Sequence, residues 1–221
     1  MGEAELIRES GLMVIRSHFV FYGEGATDPI AKQIALDIQS HWNEPQAKVK
    51  IGNYLYQVQF SISGEYDGDL DPEKVWFNDD PRLNFFRIEE YVMGNISFVD
   101  GINCNTGYFK LQNLEQTSTT AAHEYGHTIG LDHPNKLDIR GSDKAGIMYP
   151  RGTICDPLYQ YDSKAVPGQP GGTLDPKHRQ VTQEDIALLR LDRLRFNSKN
   201  RAIVGGFSSI YHEKHSAPPA Q

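Results

Sequence analysis

The stretch TTAAHEYGHTIGLDHP, Thr119 to Pro134, brings His123, His127 and His133 close together with Glu124, Gly126 and Gly130. On a helix, residues four apart share a face with about 6 Å of rise between them, so His123 and His127 can turn their imidazoles toward one ion. Glu124 is rotated by about 100° from His123 and flanks that ion, where a carboxylate can act as base on a water. His133 decides the local fold. A helix running on past His127 would carry His133 about 9 Å farther and roughly 240° round, off the shared face. The chain must therefore turn, and Gly130 stands where a residue of positive φ would end the helix.

Three neutral imidazole nitrogens leave the fourth tetrahedral position to water, which is the open arrangement of a catalytic rather than a structural zinc. Zinc in such a site acidifies its water and polarises a carbonyl, while Glu124 takes the proton and later delivers it to the leaving amine. The expected function is that of a zinc-dependent endopeptidase hydrolysing peptide bonds, with one catalytic Zn2+ held by His123, His127 and His133. A bare HExxH arises by chance on solvated helices, but Gly130 and His133 at these offsets make that a small minority. A zinc-bound, non-hydrolytic recognition domain is the alternative, and Glu124 argues against it. A purely structural zinc is disfavoured by the open fourth position.

Around this stretch the chain alternates between strand and helix patterns. LMVIRSHFVF (Leu12 to Phe21) reads as a strand buried on both faces. Asp28 is a candidate N-cap with Pro29 at the first helical position, and Ile30, Ile34, Ile38 and Trp42 recur at helical spacing up to Asn43 and Pro45. KVKIGNYLYQVQFSIS predicts a hairpin turning at Gly52-Asn53, with one wet face. Asp67, Asp69 and Asp71 have the alternate spacing of a calcium loop, but Pro72 stands where an EF-hand needs glycine, so a solvated turn is expected. Further strands are expected in NFFRIEEYV, NISFVDG and TGYFKLQN.

The metal helix has poor propensity because of Gly126 and its β-branched residues, and its expected cap is Thr117 or Ser118. Asp132 to Arg179 is a long irregular stretch rich in Pro, Gly and Asp. A last helix begins at Thr182, with Asp185 in a capping box and Val181 set to staple against Ile186; Leu189 and Leu194 extend its apolar face.

The totals exclude several classes. With 221 residues the chain has room for a full core without disulfide staples. A net charge of −7 argues against nucleic acid or an anionic membrane as partner. No apolar run reaches membrane-span length, and the partner expected is a protein or peptide substrate of a monomer. The first residues show no signal peptide, and export by another route or after its removal is the expectation for localisation. Cys104 and Cys155 fit no cysteine zinc motif, and either a pair or two free thiols agrees with their number.

HEYGHTIGLDH has the HExxHxxGxxH form of the metzincin metalloproteases, and GIMYPRG from Gly146 supplies a candidate Met-turn at Met148. Among metzincins the chain resembles the matrixins, the matrix metalloproteinase group, because Tyr149 and Pro150 directly follow Met148. In the astacins and serralysins a tyrosine two places after the methionine approaches the zinc, and here that place is Pro150. TQEDIALLRL is also similar to the acidic start of the matrixin C-terminal helix.

The resemblance implies an α/β (mixed α+β) zincin-like fold, with a twisted mixed sheet of five strands, an active-site helix and a small C-terminal lobe with one helix. A single catalytic domain over 1–200 follows, its upper lobe about 1–133 and its lower lobe about 134–200, with 201–221 as a flexible tail. Met148 would form an apolar floor beneath the ligands, and Tyr149 and Pro150 would wall the pocket for the side chain after the scissile bond. Gly107, Tyr108 and Phe109 would belong to an edge strand that binds substrate by strand addition; an ordinary edge strand with Lys110 as gatekeeper is equally compatible. No cysteine-switch motif and no matrixin loop for structural ions is recognisable, so calcium or a second zinc is not indicated.

Overall fold

The computed structural model describes residues 1–114 and 118–216. In chain order its elements are strands β1 (Gly2–Ile7) and β2 (Leu12–Tyr22), helix α1 (Asp28–Asn43), strands β3 (Lys48–Ile51) and β4 (Tyr54–Tyr66), and helix α2 (Pro72–Trp76). Strands β5 (Leu83–Glu89), β6 (Phe98–Val99) and β7 (Thr106–Lys110), helices α3 (Thr120–Thr128) and α4 (Gln183–Leu188), and strand β8 (Arg201–Val204) complete them. The result is a mixed α/β fold around one sheet.

The apolar run of β2 makes it the central strand. It lies parallel to β4 on one flank, with Ile15 opposite Phe60. On the other flank it pairs antiparallel with β1 and then parallel with β5, with Phe21 opposite Phe86. The sheet runs β3-β4-β2-β5-β7-β6, with β1 on β2 and β8 on β1. It has eight strands rather than the five expected. The terminal strands β1 and β8 escape sequence reasoning because Glu3, Glu5 and Arg201 interrupt their apolar residues. In the sheet these charges pair across strands, Arg201 with Glu3 at 3.4 Å and Arg16 with Glu5 at 2.5 Å.

Residues 201–216 are therefore not a free tail. Beyond β8, Tyr211 stacks on Tyr22 at 5.2 Å between ring centroids and His215 stacks on Tyr108 at 4.3 Å. His212 Nε2 lies 2.9 Å from Asp100 Oδ2. The rest of the expected tail, 217–221, lies outside the described residues.

A second correction concerns the sheet edge. β7 is covered by β6, with Phe98 opposite Tyr108 and Val99 opposite Gly107. A side chain at 107 would collide with the Phe98 carbonyl and the Phe86 ring, so Gly107 is what lets β6 close over β7. Two residues of β6 are too few for alternation to reveal which strand is outermost.

The cap of helix α1 lies one residue earlier than expected: Thr27 Oγ1 accepts from Ile30 N at 3.4 Å, and Asp28 becomes an acid in the first turn, where the helix dipole favours it. Its buried stripe of Ala31, Ile34, Ala35, Ile38 and Trp42 packs on the sheet. The hairpin turns at Gly52-Asn53 as expected. In the acidic loop, Asp71 caps α2 and Asp67 pairs with Lys74 at 3.0 Å, which accounts for both as turn residues.

The capping box of Thr182 and Asp185 is present in α4, and Val181 and Ile186 are both buried in the main core. The helix stops at Leu188 because Arg190 takes a left-handed φ of 51°, so Leu194 lies beyond it. Between α3 and α4 the chain is irregular and holds a small core of its own, Ile139, Ala145, Cys155 and Leu174. Cys104 and Cys155 are separate thiols. Among the described residues no helix is long and apolar enough to cross a membrane.

Candidate metal centre

All nine residues of α3 are buried, which explains how a segment of poor helix propensity stays helical. Trp42 on α1 donates from Nε1 to the Ala122 carbonyl at 3.0 Å and meets the Tyr125 ring edge-on. The Tyr125 hydroxyl bonds Ser17 Oγ of β2 at 2.8 Å. At the N-terminus Thr119 is the cap residue but makes no side-chain cap bond; Ser118 Oγ accepts from Thr120 N at 3.2 Å. Thr117, the other expected cap, lies outside the described residues. Thr119 Oγ1 instead donates to the Pro176 carbonyl and accepts from Arg179 Nε at 2.8 Å. This ties the helix to the segment before α4.

Gly126 has a packing reason. A β-carbon there would collide with the Met148 sulfur, so the bare backbone lets Met148, 2% exposed, lie directly against α3. The turn after the helix forms as its glycine predicts: Gly130 has φ of 110°, Gly130 N donates to His127 O and Leu131 N donates to Gly126 O at 2.9 Å. Any side chain at 130 would be strained and would press on Asn103 Oδ1.

The reversal brings His133 back to the helix. Its Nε2 lies 3.1 Å from His123 Nε2 and 3.2 Å from His127 Nε2, and the three rings could hold a metal ion between them. The carbonyls of Ile147 and Leu131 accept from the Nδ1 atoms of His123 and His127 at 2.7 and 2.8 Å. Those bonds place both protons on Nδ1 and leave the two Nε2 lone pairs facing His133. One proton on His133 can satisfy only one of them, whereas a cation satisfies all three. Two nitrogens each about 2.0–2.1 Å from one tetrahedral ion lie about 3.3 Å apart, so the separations also fit. Ile147, one residue before Met148, thereby orients one of the three rings, a role no side-chain motif reveals because the group is a carbonyl.

A cleft of about 420 Å³ opens over the three histidines and is also lined by Glu124, Pro150, Arg151, Arg179 and residues 96–99. Glu124 is 7% exposed. Burial pushes its carboxyl up to about 8, opposed by the positive charges of Arg179 and Arg151. Pro150 is on the cleft wall, but Tyr149 and Met148 line an adjoining cavity of about 570 Å³ that shares His133 with it. Gly107, Tyr108 and Phe109 are buried in β7 and do not line the cleft; Ser97, Phe98 and Val99 occupy the place expected for them. Arg151 and Arg179 were not recognisable in the sequence, since the first follows Met148 at no diagnostic spacing and the second lies 46 residues beyond His133 in irregular chain.

Burial lowers the imidazole pKa of all three histidines, most strongly at His123. The neutral, metal-competent form is therefore favoured to below the ordinary value of 6.5. Zinc retained after dialysis at stepped pH is expected to show its midpoint below pH 6.5, with loss as pH falls further. A midpoint near or above neutrality would contradict this account of the site.

The chain matches no protein-family model, and no curated protein matches it.

Proposed function

We propose that the protein is a zinc-dependent endopeptidase of the metzincin kind, nearest in its motifs to the matrixins. The observation that carries this is the convergence of the three Nε2 atoms of His123, His127 and His133 in one cleft with the carboxylate of Glu124. Zinc held by those imidazoles would supply Lewis-acid polarisation of the substrate carbonyl and a water acidified toward neutrality. Glu124, whose ionised form a nearby cation would favour along with Arg179 and Arg151, would take a proton from the attacking water as the water oxygen bonds to the carbonyl carbon. It then returns the proton to the amide nitrogen as the carbon–nitrogen bond breaks, so each turn consumes one water and leaves the carboxyl as it began. Met148 backs α3 at Gly126, and the Ile147 and Leu131 carbonyls hold two of the rings in the working tautomer.

The free edge beside the cleft is that of β6, so an extended substrate would align along residues 96–99 rather than along β7. Export from the cell is consistent with this activity and is part of the same proposal. The test is a mixed peptide library incubated with protein stripped by a strong chelator and then reconstituted with zinc. Cleavage absent after stripping and restored near one zinc per chain supports the assignment. Zinc uptake with no cleavage of any peptide would remove it in favour of a recognition domain.

A further inference from the structure

The hydrolysis proposed above makes no use of the positive charge beside Glu124. Arg179 is 5% exposed, yet its partners among the described residues are Thr119 Oγ1 at 2.8 Å and the Tyr149 carbonyl at 3.0 Å, both neutral. A guanidinium buried with no carboxylate in direct contact among the described residues is costly, and burial here pulls its pKa down to about 10, opposed by the charge of Glu124 nearby. Arg151 lies on the same cleft, and its Nη2 donates to Asn113 Oδ1 at 2.9 Å, again a neutral partner.

Arg151 and Asn113 also line a polar pocket of about 300 Å³ that continues the cleft and contains Lys110, Lys177 and Asp175. Among the described residues the Lys110 ammonium bonds amide oxygens alone, those of Asn95 and Gln112, while Lys177 pairs with Asp175 at 2.9 Å. A chain of net charge −7 has thus gathered four cations along one groove, three of them without a carboxylate partner among the described residues.

We propose that Arg179 and Arg151 form a carboxylate-binding subsite, so that the substrates of this cleft carry an acidic group beside the bond to be cut. The inference rests on the peptidase assignment for what happens after binding, but not for the binding itself. Planar guanidinium groups with N–H donors to spare match a carboxylate in charge and geometry, and the low dielectric around Arg179 strengthens that match. An aspartate or glutamate side chain and a free peptide C-terminus offer the same chemistry. Were Arg179 present only to balance Glu124, the cleft would show no preference between a charged ligand and its neutral isostere.

The experiment uses the wild-type protein stripped of metal, so that peptides stay intact, Glu124 keeps its charge beside Arg179 and no ion can bind the carboxylate, and fluorescence anisotropy with labelled octapeptides. Each carries a single Glu, or Gln in its place, moved through the positions, with the C-terminus either amidated or free. At one position Glu is expected to bind about tenfold or more tighter than Gln, the effect of a charge-assisted pair. The Arg151→Gln variant is expected to erase most of that difference while changing the affinity for the Gln peptide by no more than about threefold. A preference seen only with free C-termini assigns the subsite to a terminal carboxylate; one seen in amidated peptides assigns it to a side chain.

Equal binding of Glu and Gln peptides at every position with either terminus overturns the proposal, as does an Arg151→Gln variant that weakens both alike. The two assignments fail separately. Carboxylate preference in a wild-type protein that cuts nothing keeps the subsite and removes the peptidase, whereas cleavage without preference does the reverse.

Discussion

Replacing Glu124 with glutamine is expected to slow peptide hydrolysis by about 10²–10⁴-fold, the usual weight of a general base, with zinc content unchanged. The amide has nearly the same shape, so the buried position beside His123 stays filled, but it cannot accept the proton of the attacking water. Glu124 is not among the three nitrogens that converge on the metal position, so the metal should remain. Single-turnover cleavage and metal stoichiometry on the same sample give both answers. Activity within a few fold of wild type would exclude Glu124 as the base. Loss of zinc together with activity would show that the residue supports the site rather than the chemistry.

A second large effect is expected far from any motif. Trp42→Ala should lower the stability of the protein by about 3–5 kcal/mol, as for other large aromatic deletions in a core. The ring is 1% exposed, lies 5.2 Å from Phe60 and 5.6 Å from Tyr125 between centroids, and its Nε1 donates to Ala122 on α3. Its removal opens a cavity between α1 and the helix that carries two of the three imidazoles, so zinc affinity should weaken as well. Trp42→Phe, which keeps most of the apolar contact and loses the hydrogen bond, should cost roughly 1–2 kcal/mol. Denaturant unfolding of the metal-free protein measures both. A Trp42→Ala midpoint close to that of wild type would mean that α3 is held by its turn at Gly130 and the Thr119–Arg179 tie rather than by α1.

Much of the centre could be read from the chain because its chemistry is local. His123, Glu124 and His127 sit at helical offsets, and Gly130 marks the one place where the backbone can reverse to return His133. Dihedral freedom at a single glycine decides that return, and residue identity exposes it. The central strand β2, the amphipathic α1, the Gly52-Asn53 hairpin and the capping box of α4 were legible for the same reason, since each is specified by neighbours a few residues apart.

What the tertiary structure alone decided depends on residues distant in sequence. The polar alternation of β1 and β8 becomes sheet only when the two pair with each other and their charges meet across strands. Which strand forms the cleft edge was settled by the closure of β6 over Gly107. The carbonyls of Ile147 and Leu131 that fix the imidazole tautomers carry no side-chain signature, and Arg179 reaches the cleft only because the irregular chain folds back onto Thr119. The sequence by itself determined which groups can bind and move protons, because ligand spacing is a short-range property. Their surroundings, meaning the burial that perturbs their pKa values and the cations that line the cleft, come from long-range packing that no local pattern encodes.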